Sequence, residues 1–114
     1  MPVITVATAA HPDERALLAS VADAVAHALA LAPGDVIAMS TPVRQTVENG
    51  ADAAPEPWTL ISIHGSDRGA EKTQRALAAA RAAAADWSRR HDPAAGGGAE
   101  QERVWCEWLL PQHP

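Results

Sequence analysis

The sequence predicts an α/β fold: a pseudo-duplicated βαβ unit forming a four-stranded sheet with two helices on one face. Two observations predict it. β-Branched runs and helical runs alternate as strand–helix–strand, twice, and the two halves resemble each other. Pro2-Val3-Ile4-Thr5-Val6 matches Pro57-Trp58-Thr59-Leu60-Ile61, and Asp35-Val36-Ile37-Ala38 matches Arg103-Val104-Trp105-Cys106. The 114 residues allow one domain, 1–114, with pseudo-repeats at 2–43 and 57–111.

Residues 2–8, Pro-Val-Ile-Thr-Val-Ala-Thr, carry the period-two rhythm of a strand. His11-Pro12-Asp13-Glu14 then suits a helix start, with proline in the first turn and acids at the positive end of the dipole. Across 13–31, Leu17, Val21, Val25 and Leu29 recur every fourth position as one apolar stripe, which Ala32-Pro33-Gly34 is expected to stop. A second strand is expected over 35–41, ended by Pro42, before a linker at 42–57 that holds Asn49-Gly50 and Pro55-Glu56-Pro57. Residues 58–64 alternate as a third strand. The alanine-rich run 69–90 favours helix, with Glu71–Arg75 and Asp86–Arg90 spaced for ion pairs. Leu77, Ala80, Ala84 and Trp87 mark its expected buried side. Residues 91–101, with Gly96-Gly97-Gly98, read as a flexible loop, and 103–110 as the last strand. There Val104, Cys106, Trp108 and Leu110 share one face, and Trp105, Glu107 and Leu109 the other. With both helices on one side, the apolar residues of the other sheet face need a cover, and self-association supplies one.

Nine Lys+Arg against fourteen Asp+Glu give a net charge of -5 and a pI near 5.4. That balance argues against nucleic-acid and anionic-membrane partners, which need a basic surface. No apolar run approaches a membrane span, and the start of the chain lacks a signal-peptide layout, so a cytoplasmic protein is expected. The single cysteine, Cys106, fits a reducing compartment. His11, His27, His64, His91 and His113 show no metal-ligand spacing. Gly96-Gly97-Gly98 follows a helix and lacks a Lys-Ser/Thr sequel, so it is no phosphate cradle.

Pro2 is the most informative residue. A small residue in second position favours trimming of Met1, which would leave a secondary amine held by the strand that follows. An α-amino group titrates near ~7.7–8.0 in model peptides, and a dry pocket or a nearby cation lowers that, which suits a general base or a nucleophile toward carbonyls. The competing reading is a proline that merely opens an edge strand, where a missing N–H costs nothing.

The start Met1-Pro2-Val3-Ile4-Thr5-Val6, the doubled βαβ order, and Leu60-Ile61-Ser62-Ile63-His64-Gly65 running into a helix resemble the tautomerase superfamily. That family includes 4-oxalocrotonate tautomerase, macrophage migration inhibitory factor, malonate semialdehyde decarboxylase and the chloroacrylic acid dehalogenases. The resemblance spans nearly the whole chain, with motif identity concentrated at the start and around 58–72. It implies a homotrimer, no cofactor, and keto–enol isomerisation of a small 2-oxo or enol acid with Pro2 as general base. It also implies that Arg68, in Gly65-Ser66-Asp67-Arg68-Gly69, holds a substrate carboxylate, a task its planar fork suits; a solvated arginine pairing with Asp67 or Glu71 is the plainer reading. By the same match Trp105 and Glu107 would line the neighbouring subunit's pocket, Glu107 orienting substrate or activating water. Ser66 would lie at the rim, and His64 would end the third strand beside it.

Two arginines of the short family members fall near Pro12 and Ile37, and a lysine of the migration-factor branch near Leu31-Ala32, so the expected pocket is less cationic and suits a dicarboxylate poorly. Arg44 is placed to compensate or to serve as a linker charge. A decarboxylase, hydratase or biosynthetic cyclase on the same scaffold is the second enzymatic reading. The non-enzymatic one is a ferredoxin-like binding module, which shares the βαββαβ order.

Overall fold

The computed structural model describes residues 1–50, 58–91 and 103–111. Six elements follow one another: β1 (Val3–Ala9), α1 (Glu14–Ala28), β2 (Ile37–Val43), β3 (Thr59–His64), α2 (Ala70–His91) and β4 (Val104–Leu109). The strands form one sheet in the order β2-β1-β3-β4. β1 runs parallel to β2, β3 parallel to β4, and β1 antiparallel to β3. Each βαβ half therefore contributes an adjacent parallel pair, and the halves meet head to tail through β1 and β3.

This order removes the ferredoxin-like alternative. A split βαβ places another strand between the two it connects, whereas β1 and β2 are direct neighbours. It also corrects the edge-strand reading of Pro2. β1 is a central strand, so Pro2 stands at the end of a strand paired on both sides.

Alternation along the strands places Ile4, Val6, Ile61, Ile63 and Val104 against Leu17, Val21 and Val25 of α1 and Ala76, Ala80, Ala84 and Trp87 of α2, all buried. Each fully buried Leu, Ile or Val stabilises the fold by roughly 1.5–3 kcal/mol, and the alanines let α2 approach closely. Ala76 takes the core position expected of Leu77, which lies half-buried beside it.

Most boundaries fall within a residue or two of expectation, β2 beginning at Ile37 instead of 35, and two departures have a clear physical reason. α1 stops before Ala32-Pro33-Gly34, because Ala30 adopts a left-handed φ of 55°. Leu31 N–H donates to Ala26 O (2.8 Å) and Ala30 N–H to His27 O (3.2 Å), a Schellman closure with alanine where glycine is usual. Ala30→Gly should therefore raise stability by about 0.5–1 kcal/mol, read as a higher thermal midpoint; an unchanged or lower midpoint would contradict the assignment. The second departure is Pro42. It lies inside β2, opposite Thr8, where an edge strand tolerates its missing N–H. The linker residues 51–57 and the glycine-rich stretch fall outside the described residues, apart from His91, which closes α2. Among the described residues, no helix is long and apolar enough to cross a membrane.

The helix-free face consists of three transverse rows. Register places Thr41, Ala7, Leu60 and Trp105 in one, Met39, Thr5, Ser62 and Glu107 in the next, and Ile37, Val3, His64 and Leu109 in the third. Ile37, Met39, Leu60, Trp105 and Leu109 are all exposed there.

Candidate functional site

Pro2 is anchored where β1 begins. Its carbonyl accepts the Ile37 N–H at 3.2 Å, and its ring is under 2% exposed, while Met1 is 70% exposed. Because β1 and β3 are antiparallel with Val3 opposite His64, Pro2 lies level with Gly65, where β3 turns toward α2. Gly65 N–H donates to Leu109 O at 3.1 Å, tying this corner to β4.

Gly65 is glycine for want of room. A Cβ there would lie 2.7 Å from Trp108 Cζ2, so the indole occupies the space of the missing side chain. Ser66 is exposed on the loop, and His64 is exposed on the helix-free face. The turn into α2 is built by Asp67, whose Oδ1 accepts the Gly69 N–H at 2.9 Å, and by Gly69 at a left-handed φ of 87°.

Arg68 stands out electrostatically. Its two sequence-adjacent candidate partners are engaged elsewhere, Asp67 with the Gly69 backbone and Glu71 with Arg75 at 3.1 Å. Among the described residues the Arg68 guanidinium has no ion-pair partner, and its Nε is buried without a hydrogen bond. The simple solvated pairing expected as the plainer reading is absent among these residues. A buried unsatisfied donor on a cation is costly, and an arriving carboxylate would relieve that cost.

Pro2, His64, Ser66 and Arg68 thus share one end of the sheet. Trp105 and Glu107 do not reach it within the same chain. They stand level with Leu60 and Ser62, five and three residues along from Gly65, about 17 and 10 Å at strand rise. With Leu60, Ile61 and Ser62 they line a shallow depression of about 200 Å³, in which Ser62 Oγ donates to Glu107 Oε1 at 3.1 Å. Cys106 faces the helices; burial pushes its thiol up, with the Arg81 charge opposing, as suits an unreactive side chain. Among the described residues, no group of three or more His, Cys, Asp or Glu could hold a metal ion.

Two features at this level were not legible in the sequence. One is the Gly65–Trp108 contact; alternation puts Trp108 on the helix side but does not show its ring lying over the β3–α2 turn. The other lies at the far end of the sheet. There the His91 Nε2 approaches Asp13 Oδ2 at 2.7 Å, and the His91 ring stacks on Trp87 at 4.3 Å between centroids. His11 packs edge-on to both rings, a cluster that ties the start of α1 to the end of α2.

No family model matches the sequence, and no curated protein matches it. Solved structures do match. A fused 4-OT forming a symmetric trimer is similar over 98% of this chain and 85% of its own, with a TM-score of 0.70 at 16% identity. The macrophage migration inhibitory factor of Toxoplasma gondii is similar over 96% of this chain and 90% of its own, with a TM-score of 0.68 at 20% identity. A malonate semialdehyde decarboxylase inhibited by 3-bromopropiolate is similar over 97% of this chain and 82% of its own, with a TM-score of 0.65 at 17% identity. At such identities the likeness establishes the fold.

Proposed function

We propose that this chain, which has the tautomerase-superfamily fold, is an enzyme that uses Pro2, after removal of Met1, as general base for keto–enol isomerisation of a small 2-oxo or enol acid. The observation that carries the reading is the unpaired Arg68 guanidinium at the same sheet end as an anchored Pro2. The ring of Pro2 is buried while Met1 points outward. Cleavage between them would leave the ring fixed and the new amine facing the route by which Met1 left.

In this mechanism the Pro2 nitrogen takes a proton from the carbon α to the substrate carbonyl. The electron pair moves into an enolate whose oxygen is then protonated, giving the enol. Arg68 holds the carboxylate and offsets the growing negative charge. Ser66 and His64 border the same corner. Trp105 and Glu107 serve a neighbouring copy in an assembly that covers the helix-free face. The symmetric trimer of the 4-OT structure supports three copies as the arrangement.

The test is deuterium exchange at C3 of phenylpyruvate by wild type and Pro2→Ala. A positioned base contributes about 10²–10⁴-fold, and part of that should be lost because alanine retains an amine without the fixed ring. Equal rates would remove Pro2 from the mechanism. The Ser62–Glu107 pair favours one second reading, a hydratase in which Glu107 takes a proton from water as its oxygen adds to C3 of a 2,3-unsaturated acid and C2 is protonated. Formation of the 3-hydroxy acid, abolished in Glu107→Gln, would select it.

A further inference from the structure

A second buried donor lies at this corner. Trp108 Nε1 is shielded from water and has no hydrogen-bond partner among the described residues, like Arg68 Nε. A buried tryptophan N–H ordinarily finds an acceptor. The indole is located by the Gly65 contact, since Cε2, the carbon bonded to Nε1, lies 3.5 Å from where a Gly65 Cβ would stand. Gly65 is level with Pro2 and three residues from Arg68 in one short turn. Two N–H groups without acceptors therefore belong to this corner, one on the neutral ring that lies over Gly65 and one on a cation three residues further along the turn.

We propose that Trp108 is a substrate-binding residue whose indole N–H, together with Arg68, holds the carboxylate of a 2-oxo acid beside Pro2. The inference rests on the reading of Pro2 and Arg68 given above. The chemistry favours one carboxylate. Arg68 is the only described arginine or lysine in the β3–α2 turn, Asp67 sits next to it, and Asp35 precedes β2 at the same sheet end. A planar carboxylate offers two oxygens, enough for a guanidinium N–H and an indole N–H at once. A second negative charge would meet Asp35 and Asp67 without a cation of its own.

Benzoylformate tests this because it is a 2-oxo acid with no hydrogen on C3 and cannot be turned over. It is titrated into the 15N-labelled full chain while the indole and arginine Nε–H resonances are followed, with the Trp108 signal assigned from Trp108→Phe. The expected result is that the Trp108 and Arg68 signals move together and saturate at one concentration. Trp108→Phe, which keeps an aromatic ring but removes the N–H, should bind the acid roughly tenfold or more weakly. Methyl benzoylformate should bind wild type and variant alike. If Arg68 responds and Trp108 does not, or if acid and ester are weakened equally, the indole is not a carboxylate donor and the inference fails alone. If neither signal moves and phenylpyruvate exchange is unaffected by Pro2→Ala, the reading of the site fails and takes the inference with it.

Discussion

Protein that retains Met1 should exchange the C3 proton of phenylpyruvate at least about 10²-fold more slowly than protein from which Met1 has been removed. With Met1 in place the Pro2 nitrogen is an amide, its lone pair is delocalised into the carbonyl, and it cannot take a proton near neutral pH. The chain still carries an α-amine, on Met1. That amine is displaced by one residue, about 3.8 Å, on a side chain 70% exposed to solvent. It has neither the fixed ring nor the position beside Gly65. Displacements of about 1 Å already cost around 10²-fold in reactions that depend on oriented groups. The comparison is sharper than Pro2→Ala, since it changes no side chain in the sheet. Intact mass spectrometry separates the two forms, and their rates are measured at equal concentration. If the form bearing Met1 is as fast as the processed one, the base lies elsewhere.

The role proposed for Arg68 rests on an absence of partners among the described residues that the sequence could not show. Asp67 and Glu71 flank it, and either would make a plausible ion pair. Asp67 is instead committed to the Gly69 N–H that builds the turn, and Glu71 to Arg75 one helical turn on. For Asp67 the competition is settled by local geometry, since a carboxylate that can accept a backbone N–H of its own turn is held there; for Glu71 it is settled by the i,i+4 spacing that puts Arg75 on the same helix face.

The fold was far more legible than the site. Alternation in Val3–Val6 and Ile61–Ile63 assigned the core face of both central strands, and the four-residue repeat of Leu17, Val21 and Val25 assigned α1. These signals are strong because burying the wrong face would remove every contact in an element together. Helix termini were less legible, because the signal at α1 was a backbone conformation carried by Ala30, a residue that seldom adopts it. Pro42 reads as a strand end in the sequence, which does not say that β2 is an edge. Trp108 was legible as a packing residue and no further. Orphaned hydrogen-bond donors become visible only when every neighbour is in place.

If three copies assemble through the helix-free face as proposed, Leu60→Asp should leave single chains of 11.9 kDa without unfolding them. Leu60 lies on central strand β3 of the helix-free face, between Ala7 and Trp105 in register, and is 48% exposed in the single chain. An aspartate there meets water in the isolated protein, so far-UV circular dichroism should be unchanged. In an assembly that covers this face, the same carboxylate would be stripped of solvent beside Trp105 and Ala7 without a cation, at a cost of several kcal/mol for each copy. Summed over a symmetric interface, that cost exceeds what a protein of this size can spare. Wild type should sediment at three times the chain mass and the variant at one, and the wild-type thermal midpoint alone should rise with protein concentration. The variant should also lose exchange activity although Leu60 is remote from Pro2 of its own chain, because Trp105 and Glu107 would no longer be delivered to a neighbour. A wild type that sediments as a single chain, or a variant that remains assembled, would leave Trp105 and Glu107 without a role in the site and confine it to the corner formed by Pro2, Gly65 and Arg68.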